Sequence, residues 1–336
     1  MSLLVVGRDW GVAEAQAGRA FVGPSGTMLD RELERAGRPR AACEVTNVVE
    51  AQPPGNRWEA HAPDAVAAGV AALRAKLTRD RVVLAVGEQA LHACLGLDPD
   101  AHAHAITDVR GYPFRGVGGC LVVPTIHPSF ILRGAQRPYA FCFARDVAKA
   151  VRYAKEGYVE PESHEYLRSE SDVLSHLNTG RMAVDIETYA DGSIACVAIA
   201  PSAERAVCFD APMDGQREEL AFVLASDAAK AFHNGQFDVT VLEQAGFRVA
   251  NWQADTMLLW HALEPVLAGA AENSQLGTKK SLKFLGSVFS DRPYWKSYNF
   301  VTHRDRCLLC ARDTMVTWDV WRQMERQLLT AGMLGA

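Results

Sequence analysis

The chain has 336 residues, of which 49% are hydrophobic and 22% are charged. This length exceeds the usual size of one domain and the apolar content is enough for sizeable cores, so we expect two globular domains rather than a disordered chain. The formal charge of −5 argues against a strongly basic protein that binds nucleic acid without selectivity, and local basic patches matter more than the total.

The start of the chain and its cysteines bear on its location. The sequence begins Met-Ser-Leu-Leu-Val-Val-Gly, without the basic segment and long apolar core of a signal peptide, and no apolar run is long enough to cross a membrane. Eight cysteines are scattered without an evident disulfide framework, which predicts a cytoplasmic protein. Cys307 and Cys310 form a CxxC pair, but no second pair lies near it in the sequence, so we do not predict a metal there.

Short apolar runs alternate with helical periodicity in the first half of the chain. Apolar residues recur at three- and four-residue intervals between the runs, most clearly over residues 65–77. Strands that alternate with helices predict a parallel α/β sheet with functional loops at the strand ends. The predicted strands are residues 3–7, 45–49, 82–87 and 120–124.

Motifs after these strands indicate a family. Two glycine-rich segments, 7–11 and 18–26, follow the first strand and let the backbone approach a ligand closely, but they fit neither the Rossmann nor the P-loop spacing. Three further motifs are Thr46-Asn-Val-Val49, Pro53-Pro-Gly-Asn-Arg57 and Ile126-His-Pro-Ser129. With these motifs, residues 3–150 resemble the uracil-DNA glycosylase superfamily.

That resemblance implies a base-binding pocket. Phe21 would stack on a flipped base, Asn47 would read its polar edge, and His127 would stabilise charge that develops on the base during glycosidic cleavage. Glu14 matches another acid of the pocket, and Asp9 stands where one branch of the superfamily has a water-activating Asp. On the residues alone, a core aromatic and a turn cap would explain Phe21 and Asn47, and only the wider match favours the pocket.

Two departures from the family pattern concern the chemistry. Arg8 stands where the thermophile-type branch has a Glu that lines the pocket, which reverses the charge beside the base. That branch also has four cysteines that hold an iron–sulfur cluster. Here the N-terminal pair is absent and residues 65–77 contain no Cys, so we expect no cluster. Uracil excision and base recognition without cleavage are therefore both open.

A polar, charged stretch at residues 153–172 is the predicted linker between domains 1–152 and 173–336. The second domain continues the α/β pattern, with a helical half from Glu218 onwards. Its predicted strands are residues 182–186, 194–200 and 205–209.

Four acidic residues of the second domain are suited to a metal site. Asp185 and Glu187 lie two positions apart in an apolar strand, so their side chains point the same way and need a cation or a shared proton between them. Asp238 follows Asn234 by four residues, and Asp313 lies in a helical segment. Oxygen ligands from three elements suit Mg²⁺ or Mn²⁺, and two such ions about 4 Å apart would assist hydrolysis of a phosphodiester.

The segment 182–321 resembles the DEDD 3′-5′ exonucleases, the DnaQ-like proofreading domains attached to family A DNA polymerases, and it also resembles phage-type relatives. The first motif is matched by Asp185 and Glu187, the second by residues 234–238, and the third by Asp313. The resemblance implies a ribonuclease H-like fold with a mixed sheet, four catalytic metal-binding carboxylates, and a supporting role for Asn234.

One departure affects the water-orienting group of this family. Members with a Tyr carry it four residues before the last Asp, where this chain has Leu309, and the pattern with a His five residues before finds Leu308. Loss of a general base typically lowers the rate by about 10²–10⁴-fold. His303 is the nearest substitute, although a solvated loop His explains it as well, so we expect weakened hydrolysis with metal binding retained.

Basic side chains near the two sites are candidate DNA contacts, although a solvated basic face explains the Lys cluster equally. They are Lys279, Lys280, Lys283, Arg133 and Arg137. Aromatic residues interleave with basic ones over 292–298, which suits stacking on a single strand: Tyr294, Trp295 and Tyr298 with Arg292 and Lys296.

The sequence thus predicts a glycosylase-like domain fused to a metal-dependent 3′-5′ exonuclease that acts on DNA. No polymerase domain follows within the chain, so the resemblance implies a polymerase on a separate chain, in a phage-type replication system within a bacterial host. Two alternatives stay open. One is a non-catalytic accessory protein that binds DNA or a polymerase through two decayed sites, and the other is uracil excision as the main activity.

Overall fold

The computed structural model describes residues 1–101, 103–133, 139–168, 180–210, 215–265, 280–296 and 302–332. The chain divides into two compact α/β units, Met1–Glu160 and Pro161–Ala336, which confirms the predicted fold class. Both unit limits fall within the predicted linker, and the limits 1–152 and 173–336 stay a proposal for domain boundaries. In the described ranges, no helix combines the length and the apolar character that crossing a bilayer requires.

The first unit is built on a largely parallel sheet. Among the described residues the strand order is β2-β1-β3-β5-β4, with β4 antiparallel at one edge. The central strands are buried on both faces, which explains their continuous apolar sequences. The strands are β1 (Ser2–Asp9), β2 (Glu44–Val49), β3 (Arg81–Val86), β4 (Phe114–Arg115) and β5 (Leu121–Thr125).

Helices flank this sheet, and the segment predicted at 65–77 forms a helix that begins at Pro63. Proline is favoured in a first turn because its fixed φ suits the helix and its missing N–H would have no partner there. The helices are α1 (Val12–Ala17), α2 (Pro24–Arg35), α3 (Pro63–Ala75), α4 (Glu88–Leu95), α5 (Ile106–Val109), α6 (Pro128–Leu132) and α7 (Tyr139–Glu156).

A buried ion pair joins α7 to the segment that precedes β4. Arg110 Nε donates to Oδ2 of Asp146 at 2.8 Å, and Arg110 Nη2 contacts the other carboxylate oxygen. Thr125 Oγ1, at the end of β5, also donates to Asp146 Oδ2 at 2.8 Å. Both charged side chains are only 1% exposed, so each depends on the other for compensation.

The second unit contains a mixed sheet of strand order β11-β10-β7-β8-β9-β6 in the described residues. Strands β7, β8 and β9 are antiparallel neighbours, whereas β10 and β11 continue from β7 in parallel. This is the predicted ribonuclease H-like arrangement. The strands are β6 (His164–Leu167), β7 (Arg181–Thr188), β8 (Ile194–Ala200), β9 (Arg205–Asp210), β10 (Ala229–Phe232) and β11 (Trp252–Asp255).

Three of these strands lie where the sequence predicted none. Strand β6 lies inside the predicted linker and pairs in parallel with β9. Strands β10 and β11 lie in the half that was predicted to be helical, and each has only four residues, too few to show a clear period. Short strands of this kind take their structure from the sheet edge beside them rather than from local propensity.

The helices of the second unit cover both faces of the sheet. They are α8 (Arg217–Ala225), α9 (Gly235–Gln244), α10 (Thr256–Leu263), α11 (Leu282–Phe289) and α12 (His303–Thr330). Helix α12 lies across β7, β8 and β9, where alanine and cysteine side chains of the sheet allow a close approach. It begins with a capping box in which Thr302 and Asp305 bond to each other's backbone amides.

Candidate functional site

Three of the predicted metal-binding carboxylates converge in the second unit. Asp185 and Glu187 lie on β7, and Asp313 lies on the face of α12 that packs on this strand. One oxygen from each of the three side chains lies within 4.8 Å of the others. Strand alternation brings the first pair together, and the crossing of α12 adds the third.

The fourth carboxylate, Asp238, belongs to α9 and is buried. Its Oδ1 accepts the backbone N–H of Ile186 at 3.2 Å, which fixes it beside the middle of β7. Asn234 precedes α9 with a left-handed φ of 64°, a conformation that Asn tolerates better than most residues. The N–H groups of Asn234 and Gly235 donate to the Asp255 carboxylate at 3.2 and 2.8 Å. Asp255, to which the sequence assigned no role in the site, therefore anchors the turn that positions Asp238.

Crowding of these acids shifts their pKa values upwards. Burial, reinforced by the charges of Asp238, Asp313 and Glu187, raises the pKa of Asp185 well above its ordinary value. Burial also raises the pKa of Asp238 to about 7, against the opposing hydrogen bond from Ile186. Burial and the charge of Asp313 raise the pKa of Glu187. The cluster therefore favours either added protons or a bound cation.

Two neighbours from the segment before α12 compensate Asp313. Trp295 Nε1 donates to Asp313 Oδ1 at 2.5 Å, and the Lys296 ammonium contacts Oδ2. Burial still raises the pKa of Asp313, although both contacts act to lower it. Trp295 is 5% exposed and Arg292, also 5% exposed, donates to the backbone of Glu162. The prediction that the 292–298 segment stacks on a single strand is therefore wrong for these two side chains, and Tyr298 lies outside the described residues.

The water-orienting position is apolar. Leu309 is 6% exposed and its side chain has neither a donor nor an acceptor. His303, the suggested substitute, is the exposed first residue of α12, where its Nε2 lies 3.6 Å from Cys307 Sγ and its ring stacks on Tyr189 with a centroid separation of 6.4 Å. No carboxylate contact of His303 appears among the described residues. The charges of Lys296 and, after it, Arg306 act to lower the pKa of Glu187, against the larger effect of burial.

A cleft of about 420 Å³ opens beside Asp185 and Asp238. Phe237 lines it and is 51% exposed. Lys280, which the sequence suggested as a phosphate contact, also lines the cleft. Lys283 is half-buried in α11, and Lys279 lies outside the described residues.

The predicted pocket residues of the first unit line one cavity of about 790 Å³. These residues are Asp9, Glu14, Phe21, Asn47 and His127. Arg8 and Arg133 line the same cavity, and Arg137 lies outside the described residues. Loops at the carboxyl ends of β1, β2, β3 and β5 surround the cavity, which is the usual place for a ligand in a parallel sheet.

Phe21 is held in a strained conformation beside His127. Its φ is +52°, a value that bulky side chains rarely adopt, and its ring stacks against the imidazole with a centroid separation of 6.0 Å. Gly26 makes this conformation possible, because a Cβ at that position would lie 1.9 Å from the Phe21 carbonyl oxygen. A Cβ on Gly7 would likewise lie 2.7 Å from the Phe21 ring. Gly26 thus leaves room for the Phe21 backbone, and Gly7 leaves room for its ring.

The polar edges of the pocket come from Asn47 and His127. Asn47 Nδ2 donates to the backbone oxygen of Asp9 at 3.1 Å, whereas its Oδ1 is buried without a hydrogen-bond partner in the described part of the chain. His127 Nδ1 accepts the Ser129 N–H at 3.2 Å, which leaves the proton of the neutral ring on Nε2. Burial, aided by the charges of Arg8 and Arg133, lowers the pKa of His127 to about 4.

Glu14 has a structural task within the pocket wall. Its carboxylate accepts three backbone N–H groups at 3.0 to 3.2 Å, from Gly11, Val22 and Gly23. Burial acts to raise the pKa of Glu14, but these bonds outweigh it and the pKa is lowered. The ionised Glu14 side chain therefore holds together the two ends of the segment that contains Phe21.

Asp9 is likewise engaged. Arg8 Nε donates to its Oδ1 at 2.8 Å, and His61 Nε2 lies 3.2 Å from its Oδ2. The side chains of Asp9 and His61 are each 5% exposed. Arg8 therefore reverses the charge at the family's Glu position and also neutralises the adjacent acid. His61 was not singled out in the sequence because a lone His gives no signal of its own.

A largely parallel sheet with a pocket at its carboxyl edge places the first unit among the α/β folds that bind ligands at this edge. Residues 1–152 match the model of the Uracil DNA glycosylase superfamily, and the chain belongs to that superfamily. It is 31% identical over 153 residues to the type-4 uracil-DNA glycosylase of Thermotoga maritima, covering 46% of this chain and 78% of that protein. With the type-4 enzyme of Pyrobaculum aerophilum it shares 30% identity over 136 residues, covering 40% and 69%.

Solved structures that are similar to the chain include nucleases. The catalytic core of RRP6 from Trypanosoma brucei aligns with a TM-score of 0.40 and 19% identity, covering 53% of this chain and 52% of that one. Brucella melitensis NrnC with bound Mg²⁺ aligns with a TM-score of 0.35 and 18% identity, covering 52% and 84%. These likenesses are remote, so the function proposed below depends on the carboxylate geometry.

Proposed function

We propose that the second unit is a divalent-metal-dependent 3′-5′ exonuclease that removes nucleotides from DNA ends, and that the first unit recognises a nucleobase. The observation that supports the nuclease is the convergence of oxygens from Asp185, Glu187 and Asp313 within 4.8 Å. An all-oxygen donor set suits Mg²⁺ or Mn²⁺. The raised pKa values reflect burial and, after it, repulsion between the acids, and a bound cation would offset both.

The role of each group follows from its place. Asp185, Glu187, Asp238 and Asp313 would hold the metal, which when bound activates water and stabilises the leaving oxygen. Glu187, with its raised pKa, is suited to accept a proton from the attacking water. The exposed ring of Phe237 would stack on the terminal base, and Lys280 would contact phosphate.

The test is a nuclease assay on 3′-labelled single-stranded and duplex oligonucleotides with Mn²⁺, resolved by product length. We expect shortening from the 3′ end and a loss of at least about 10²-fold in Asp185→Asn. Asp191→Asn is the matched control, because Asp191 is an exposed acid of the turn after β7 whose bonds to Ser193 an amide oxygen can keep. Equal activity in wild type and Asp185→Asn would favour the accessory-protein alternative.

The base-recognition proposal is supported by the buried Oδ1 of Asn47, an acceptor that a base N–H would satisfy while Phe21 stacks on the ring. The Nε2–H of His127 would then donate to a base oxygen. Incubation with uracil-containing DNA separates excision from binding. Abasic sites that disappear in His127→Ala indicate excision, whereas binding lost in Phe21→Ala without abasic sites indicates recognition alone. Uracil-containing DNA that is neither bound nor cleaved contradicts both.

We also propose that the exonuclease serves a polymerase on a separate chain, in a phage-type replication system. The support is the motif resemblance to proofreading domains of family A polymerases. Addition of the protein to such a polymerase without its own exonuclease should increase removal of mismatched 3′ termini relative to matched termini. Equal removal of both kinds of terminus would contradict a proofreading role while leaving the nuclease itself intact.

A further inference from the structure

Four cysteines of the second unit, half of the eight in the chain, meet beneath α12, and we call them the thiol cluster. They are Cys196 on β8, Cys208 on β9, and Cys307 and Cys310 on α12. All four are buried and none is in a disulfide. The sulfur atoms of the first three lie within 4.8 Å of one another. Cys310 is within hydrogen-bond reach of both strand cysteines.

The backbone geometry explains the convergence. Cys196 lies opposite Asp210 in the antiparallel ladder, two residues from Cys208, so the two strand cysteines are diagonal neighbours on one face of the sheet. Residues three apart in a helix also share a face, and Cys307 and Cys310 are so spaced on the side of α12 that packs on this sheet. Two pairs that are distant in sequence thus point at one position.

We propose that the thiol cluster binds a single Zn²⁺ ion as a tetrahedral structural site. Zinc binds thiolate sulfur at about 2.3 Å, which in a tetrahedron separates the sulfurs by about 3.8 Å, and the sulfurs of Cys196, Cys208 and Cys307 lie within 4.8 Å of one another. An iron–sulfur cluster places its own iron and sulfide atoms between the thiolates and needs wider spacing. The CxxC spacing on α12 is also common in zinc sites.

Close helix packing alone does not account for these four residues. The same face of the sheet contains Ala183, Ala198 and Ala206, which provide the small side chains that α12 needs. Four cysteines at these positions supply potential metal ligands, but they do not allow a closer approach of α12 than alanine would. The hydrogen bond with Cys196, together with burial, raises the pKa of the Cys307 thiol to about 12. Zinc would release the thiol protons to solvent and supply the compensating charge.

The site would fasten α12 to β8 and β9 directly behind the carboxylates. Cys310 lies three residues before Asp313, and its Sγ is 3.5 Å from Asp185 Oδ2. Zinc at the thiol cluster would therefore fix the position from which Asp313 meets Asp185. This role is structural and separate from the proposed nuclease metals, which prefer oxygen ligands.

The test is Co²⁺ substitution in the reduced full-length chain, followed by absorption spectroscopy. Thiolate ligation gives an intense ultraviolet charge-transfer band and the strong visible bands of tetrahedral Co²⁺, which carboxylate-bound Co²⁺ lacks. We expect one equivalent of Co²⁺ to produce these bands, which should be lost in Cys208→Ser. They should persist in Cys43→Ser, a half-buried cysteine of the first unit, and in Asp185→Asn.

Absence of the thiolate band from the Co²⁺-loaded wild-type protein overturns the proposal, and this result can be interpreted without any variant. A thiolate band that survives in Cys208→Ser also overturns the proposal. If Cys208→Ser does not fold, Cys310→Ser is measured in its place. Because Asp185→Asn removes the proposed nuclease site but leaves all four thiols, a nuclease that fails and a zinc site that fails are told apart.

Discussion

Lys296 pairs with Asp313, so an ammonium group contacts one of the three carboxylates that share the proposed cation site. Lys296 is 27% exposed on its side chain and Asp313 is 8% exposed, so the pair is partly desolvated. A lysine in this place stabilises the crowded acids when no divalent ion is bound. It also competes with that ion for the same oxygen.

Lys296→Met should therefore strengthen Mn²⁺ binding. Removal of the competing ammonium frees Asp313 Oδ2, and we expect the dissociation constant measured by calorimetry to fall by about tenfold, which corresponds to about 1.4 kcal/mol. Lys155→Met, an exposed lysine of α7, removes the same charge elsewhere and should leave the affinity unchanged. Weaker binding in Lys296→Met would show that the ammonium supports the metal instead of competing with it.

Leu309→Tyr should increase nuclease activity. A phenol at this position restores the group that orients water in the family, and a positioned proton acceptor or donor contributes about 10²–10⁴-fold at most. Because Leu309 is buried, part of that gain will be lost to repacking, and we expect about tenfold. Leu309→Phe has the same ring without the hydroxyl and should show no gain. Equal rates for the two variants would rule out a role for the hydroxyl.

The metal-free protein should lose stability as the pH rises from about 4 to 7. The folded-state pKa of Asp238 is about 7 against an ordinary value of 3.8, so across this interval the folded state holds a proton that the unfolded state releases. Thermal melts in EDTA should show Tm falling with pH in wild type and falling less in Asp238→Asn. Mg²⁺ should raise Tm most at the upper end of the range. A Tm that rises from pH 4 to 7 equally in both proteins would contradict the raised pKa.

Asp146→Ala should be among the most destabilising single changes in the first unit. It leaves the Arg110 guanidinium buried without its carboxylate, which typically costs about 3–5 kcal/mol. Asp30→Ala is the comparison, since the Arg40–Asp30 pair is partly exposed and such pairs contribute about 1 kcal/mol or less. Urea unfolding followed by circular dichroism gives both values. Similar losses for the two variants would mean that burial does not amplify the Arg110–Asp146 interaction.

Local pattern was sufficient for some parts of the site and insufficient for others. Strand alternation placed Asp185 and Glu187 side by side, and this relation depends only on β7. The anchoring of Asn234 by Asp255 needs two strands to be neighbours, which no local period reveals. The interleaved aromatic and basic residues of 292–298 were interpreted as suited to stacking on a single strand, whereas Trp295 is buried against Asp313.

The thiol cluster shows the same limit more sharply. The CxxC of α12 has no nearby second pair in the sequence, and the other two cysteines are single residues on separate strands. Only the antiparallel register of β8 and β9 and the crossing of α12 bring them together. Side chains that converge through tertiary contacts cannot be deduced from spacing along the chain.

The left-handed backbone at Phe21 has a consequence for how this protein can diversify. Because the fold fixes the Phe21 ring, its position is set before a nucleotide binds. Binding therefore costs little conformational entropy for this side chain. A substitution at the rim, as at Arg8, leaves this ring in place, whereas any side chain at Gly26 would collide with the Phe21 carbonyl oxygen. The base selectivity of such a pocket can therefore change through residues at its rim while the position of the Phe21 ring stays the same.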